Sequence, residues 1–145
     1  KQDNIAGLPS IAVFPFKNIT KDDEFDFISD GLAQTLTFKL SELSSISVID
    51  QLQIIKAIEQ VRPQQAGVSD IIMARKAAET MDINLLLIGS FQIEGDAIEV
   101  ITRLVDSKTG KPKPIVQNTY SISNILKFQA KVTEDIIKKL KIITQ

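Results

Sequence analysis

Ser10-Ile11-Ala12-Val13-Phe14 is apolar on both faces and runs into Pro15, which has no N–H to offer a ladder, so the stretch reads as a buried central strand that stops at Pro15. Lys17 to Asp23 follows as a loop whose charges prefer water. After it, Phe27 or Ile28, Leu32, Leu36, Leu40 and Leu43 recur every three or four residues, with Gln34, Lys39 and Glu42 off the stripe, which predicts a long helix. A strand joined to a helix in this way is half of a βαβ unit, so the helix folds back over the strand and a parallel neighbour follows.

That neighbour is Ile46-Ser47-Val48-Ile49, β-branched and alternating, after which Asp50 is placed to cap a helix striped by Leu52, Ile55, Ile58 or Glu59, and Val61 and ended by Pro63. Gln64 to Gly67 is loop, and Ser69 or Asp70 opens a third helix carrying Ile72, Ala74, Ala77, Ala78 and Met81, whose alanines suit close approach to a neighbour. A strand from Asn84 to Phe91 turns at Glu94-Gly95-Asp96-Ala97 into a strand that buries the alternating Ile98, Val100, Thr102 and Leu104. A second hairpin, Asp106 to Lys111, leads past Pro112 and Pro114 into a fifth strand, Ile115 to Ile122, where two prolines at the entrance suit a sheet edge. The last helix starts near Asn124 and is striped by Ile125, Phe128, Val132, Ile136 and Leu140, with Glu134 set to pair with Lys138 and Asp135 with Lys139.

The order is β-α-β-α-α-β-β-β-α. Right-handed crossovers then predict an α/β fold with a five-stranded mixed sheet in the order 2-1-3-4-5 and helices on both faces, the first helix on one and the second and third on the other. Residues 1–8 read as a linker or frayed terminus and 9–145 as a single domain, the whole looking like a piece of a longer protein. The net charge is −1, which gives nucleic acid no general attraction, and no apolar run is long enough to cross a bilayer. With no cysteine and no histidine, thiolate nucleophiles, disulfides, the usual zinc sites and imidazole bases are all excluded.

Three segments together resemble the TolB amino-terminal-domain-like family, related to FlgO-like and CsgG-like envelope proteins. They are Ile11 to Asn18 followed by Phe27 to Leu32, then Ile88-Gly89-Ser90 with Leu104 to Gly110, and finally Phe128-Gln129. Pro15, Asp30, Gly31, Gly89 and Gly110 are the structural positions of these blocks. The resemblance runs from about Pro9 to the C-terminus; a departure is Pro114-Ile115-Val116, where the family commonly carries a tryptophan. It implies a non-catalytic bacterial interaction domain, periplasmic or otherwise extracytoplasmic, often joined to tetratricopeptide repeats or a signalling module, with no cofactor, and touching a membrane only through segments outside this chain.

Asp22, Asp23, Glu24, Asp26 and Asp30 crowd the start of the first long helix. They lack the spacing of a calcium loop and fit the helix macrodipole, so no metal ligand, catalytic residue or cofactor contact is assigned. The competing function is a small-ligand or ion sensor, or an enzyme, working from this Asp22 to Asp30 corner. Gly31 within a helix needs a reason, and close packing on a backbone is the one expected. Gly110-Lys111 is taken as a turn with glycine in the left-handed position, the lysines of the last helix as a solvated face, and Asn18-Ile19-Thr20 as matching a glycosylation acceptor. The expected working surface is the edge at Val116, Thr119, Tyr120 and Ile122, open to a protein partner or a second copy, with Ile46 to Ile49 as the rival edge.

Overall fold

The computed structural model describes residues 8–20, 22–61 and 70–144. The strand that organises the chain forms as β1 (Ser10–Val13), and all four of its residues are buried. Then come β2 (Lys17–Asn18), a 3₁₀ turn (Asp23–Phe25), α1 (Phe27–Leu40), β3 (Ser47–Val48), α2 (Gln51–Val61), α3 (Asp70–Ala78), β4 (Leu85–Glu94), β5 (Ala97–Asp106), β6 (Pro112–Ser121) and α4 (Ile125–Thr144). The sheet order is β3-β1-β4-β5-β6, parallel among β3, β1 and β4 and antiparallel from β4 to β6, as right-handed crossovers require.

Pro15 interrupts the first strand without ending it. Lys17 and Asn18 rejoin the sheet as a sixth, two-residue strand, parallel to β4 opposite Ser90 and Phe91, where a loop was expected. Val13 and Lys17 are four residues apart while their partners Leu87 and Ser90 are three apart, so Phe14-Pro15-Phe16 holds one extra residue, a bulge. The bulge removes the need for an N–H at Pro15, while Phe14 N–H donates to Leu87 O at 3.0 Å and Phe16 N–H to Ser29 O at 3.2 Å. Gly89 lies across from it. A Cβ there would stand 2.3 Å from the Phe16 ring, so glycine leaves the space that this buried ring fills.

Alternation along the strands builds two cores. Ile11, Val13, Leu87, Phe91, Ile98, Val100 and Leu104 face the Leu32, Leu36 and Leu40 stripe of α1 and the Phe128, Val132, Ile136 and Leu140 stripe of α4. Ala12, Phe14, Leu86, Ile88 and Val105 face α2 and α3, where Ala74, Ala77 and Ala78 pack in one cluster with Ile54, Ala57 and Ile58. The helix assignment to faces holds, but the stripe of α2 does not: Leu52 is exposed and Ile54 buried. Ile72 of α3 and Phe27 of α1 are likewise exposed, so Ile28 opens the buried stripe of α1. Pro63, the Gln64 to Gly67 loop, the Ser69 cap and residues 1–7 of the expected linker lie outside the described residues.

Polar contacts fix the sheet's ends. Ser10 N–H donates to Asn84 Oδ1 and Asn84 N–H to Ser10 Oγ, both at 2.9 Å, which pins the starts of β1 and β4 together. At the other end Gln51 Nε2 donates to Val13 O at 2.6 Å and to Thr37 Oγ1 at 3.0 Å, joining β1, α1 and α2. Asp50 caps α2 as expected, accepting from Leu52 N–H at 3.1 Å, and Asn124 caps α4 from Lys127 N–H at 3.1 Å.

Candidate functional site

The open edge at β6 and a cleft at the carboxyl end of β1 both have the geometry to take a partner or ligand.

Among the described residues β6 is an edge, paired only with β5. Its prolines lie within the strand rather than before it, since Pro114 is opposite Arg103 and Pro112 opposite Val105. Thr102 pairs with Val116, which leaves Ile115 as a bulge residue and lets Ile115 and Val116 both enter the core. Beyond the bulge the main-chain directions follow from two contacts. Ile122 N–H donates inward to Asp96 O at 2.8 Å, whereas Thr119 N–H is bonded to the side chain of its own neighbour, Asn118 Oδ1, at 2.9 Å. Because N–H directions alternate along a strand, Gln117, Thr119 and Ser121 turn their main-chain groups outward. The side chains sort differently from the expectation: Val116 and Tyr120 are buried, Ile122 is half-buried, and of the four only Thr119 is exposed. A partner at this edge therefore meets backbone, with Gln117, Thr119 and Ser121 side chains on the solvent face.

Tyr120 is anchored from behind. Its hydroxyl donates to Asp135 Oδ2 at 2.8 Å and its ring meets Phe128 edge-on, with centroids 5.8 Å apart. Burial and the bond to Asp135 hold the phenol protonated well beyond its ordinary range. Asp135 also lies 3.8 Å from Lys131 rather than pairing with Lys139, because its carboxylate turns toward β6; Glu134 meets Lys138 at 3.9 Å as expected. The rival edge, β3, is two residues long and offers little to a strand.

The second place is a cleft of about 510 Å³ at the carboxyl end of β1, where the chain leaves β1 for α1 on one face of the open sheet while β3 leads to α2 on the other. Phe14, Ile55, Ile58, Met73 and Ile88 are among its apolar walls, Pro15 and Gly89 also line it, and Lys17, Asp26, Asp30 and Glu59 supply its charge. The acidic corner is thus only partly gathered. Asp22 caps the 3₁₀ turn by accepting from Glu24 N–H at 3.1 Å, and Asp26 accepts from Asn18 Nδ2 at 3.0 Å. Among the described residues, no three acidic groups converge as a metal site would need. Asn18 also donates to Asp22 O at 3.1 Å and accepts from Thr20 N–H at 2.9 Å, so its amide is spent on the loop that carries the acids.

The remaining motif positions are structural. Gly110 has φ +76° and follows a turn held by Asp106, whose carboxylate accepts from Lys108 N–H at 2.9 Å and Thr109 N–H at 3.0 Å. Those two main-chain donors hold the Asp106 carboxyl below its ordinary range. Arg75 of α3 grips the same turn, donating to Ser107 O at 3.2 Å and Lys108 O at 2.6 Å, a contact nothing local in the sequence announces. Gly31 does not pack on a backbone. Its nearest neighbour across the helix pair is the side-chain amide of Gln129, 2.5 Å from where a Cβ would stand, because α1 and α4 lie side by side.

No family model matches the chain. A curated protein of Rhizobium meliloti, "Putative adenylate cyclase 3", is 26% identical over 134 residues, which is 92% of this chain but 21% of that protein. Among solved structures, the lipoprotein GNA1162 from Neisseria meningitidis superposes with a TM-score of 0.60 at 20% identity, covering 89% of this chain and 96% of that one. The LpoB C-terminal domain from Salmonella enterica gives 0.58 at 18%, covering 82% and 87%. TolB from Acinetobacter baumannii gives 0.52 at 18%, covering 92% of this chain and 28% of TolB. The fold is therefore shared with domains of bacterial proteins that include a lipoprotein and TolB.

Proposed function

We propose that this domain is a non-catalytic protein-interaction module of a bacterial envelope or signalling protein, working outside the cytoplasm, and that β6 receives a partner chain or a second copy. The observation that supports this most is the row of outward main-chain groups at Gln117, Thr119 and Ser121, on a stretch from Ile115 to Ser123 with no charged residue to repel an added strand. The fold shared with GNA1162, LpoB and TolB supports an envelope setting. The match to a segment of a putative adenylate cyclase supports a place within a longer signalling chain, and we assign to this segment the partner-binding part rather than the chemistry. Links to FlgO-like and CsgG-like proteins and to tetratricopeptide repeats rest on the sequence resemblance. Nucleic acid has no part in this reading, and membrane contact belongs to other segments; no helix among the described residues is long and apolar enough to cross a membrane.

The test uses Thr119→Pro. Its N–H faces away from β5, so proline removes no bond of the existing ladder while blocking an incoming strand. Sedimentation across a concentration series, and capture of the full-length chain's partners, should both fail for a variant whose circular dichroism is unchanged. Undiminished association by the folded variant would rule the edge out.

A further inference from the structure

We infer that the cleft at the carboxyl end of β1 binds a small organic cation with an apolar body, such as an alkylamine or arylamine. This does not rest on the β6 reading, because β5 lies between β6 and the strands that form the cleft. A cavity of about 510 Å³ is of the size that holds small ligands. Its lining sets apolar side chains beside exposed charged ones, and among the described residues these are three carboxylates (Asp26, Asp30, Glu59) and one ammonium (Lys17). Those charges come from three different elements. Asp26 and Asp30 suit the start of α1 on helix grounds alone, but Glu59 stands in the last turn of α2, where the macrodipole disfavours an acid. Asp30 and Glu59 make no ion pair among the described residues, so a ligand's ammonium would be their counter-charge. Asn18 already holds Asp26 in place.

The chain has two methionines, and they make the experiment specific: Met73 lines the cleft and Met81 does not. Methyl-labelled protein is titrated with phenethylamine and hexylamine, and in parallel with phenethyl alcohol and 3-phenylpropionate. The amines are expected to shift the Met73 methyl signal saturably and leave Met81 in place. In the double variant Asp30→Asn with Glu59→Gln, both sites being exposed, affinity should fall by about fivefold or more with the fold intact. Thr119→Pro should bind the amines as the wild type does. The inference is overturned if neither amine gives a saturable shift, if the alcohol or the acid moves Met73 as strongly, if Met81 moves in parallel, or if the double variant binds undiminished.

Discussion

Gly89 and Gly31 both sit where a side chain would collide, yet they answer to different neighbours. At Gly89 the obstacle is the buried Phe16 ring, with three ring atoms 2.3 to 2.8 Å from the missing Cβ. An aromatic packed at 1% exposure has nowhere to go, so Gly89→Ala should cost about 1–3 kcal/mol in urea titration through overpacking. At Gly31 the obstacle is the end of a flexible glutamine. Gly31→Ala should gain about 1 kcal/mol of helix propensity and lose a similar amount by displacing Gln129, for a net change within about 0.5 kcal/mol. The glycine inside a helical stripe was visible in the sequence, but its partner lies on a helix at the other end of the chain, and only the fold brings them together. Asp106 gives a pH prediction. Its carboxyl is lowered in the folded state, so its contribution is present above the ordinary aspartate range and lost as pH falls through the lowered value. Asp106→Asn should therefore flatten the acid limb of stability against pH, and an unchanged limb would remove Asp106 from the account.

At the scale of elements, α2 and the first strand show where periodicity runs out. Leu52, Ile54, Ile55 and Ile58 make two overlapping apolar stripes, and the chain alone does not choose between them. Docking against Ala74, Ala77 and Ala78 chooses Ile54, Ala57 and Ile58. Proline normally marks a strand's end, so the continuation as β2 depended on a bulge and on Gly89, which no local rule couples. The turn after β5 was legible from Asp106 and Gly110, whereas its clasp by Arg75 was not. Two hydrogen bonds to carbonyls make Arg75→Ala cost about 1–2 kcal/mol, with faster amide exchange at Gly110, whose N–H donates to Asp106 O at 2.8 Å. Unchanged exchange there would mean that the turn holds itself.

For the molecule as a whole, β1 and β4 lie at the middle of the sheet between helices on both faces. The outer strands β5 and β6 leave Arg103, Gln117 and Thr119 exposed. Alternation in β5 from Ile98 to Leu104 made that asymmetry readable from sequence, and the crossover rule gave the strand order. The edge's outward groups and the part of Glu59 in the cleft's charge were not readable, because main-chain direction past a bulge and the approach of α2 to α1 are set by packing. Amide hydrogen exchange tests the edge most directly, residue by residue, in the full chain at low concentration and in its assembled form. Asn118, Tyr120 and Ile122 should be protected throughout, while Gln117, Thr119 and Ser121 should exchange fast when dilute and become protected on assembly. Protection of all six in the dilute protein, or fast exchange at the odd-numbered three after assembly, would contradict it.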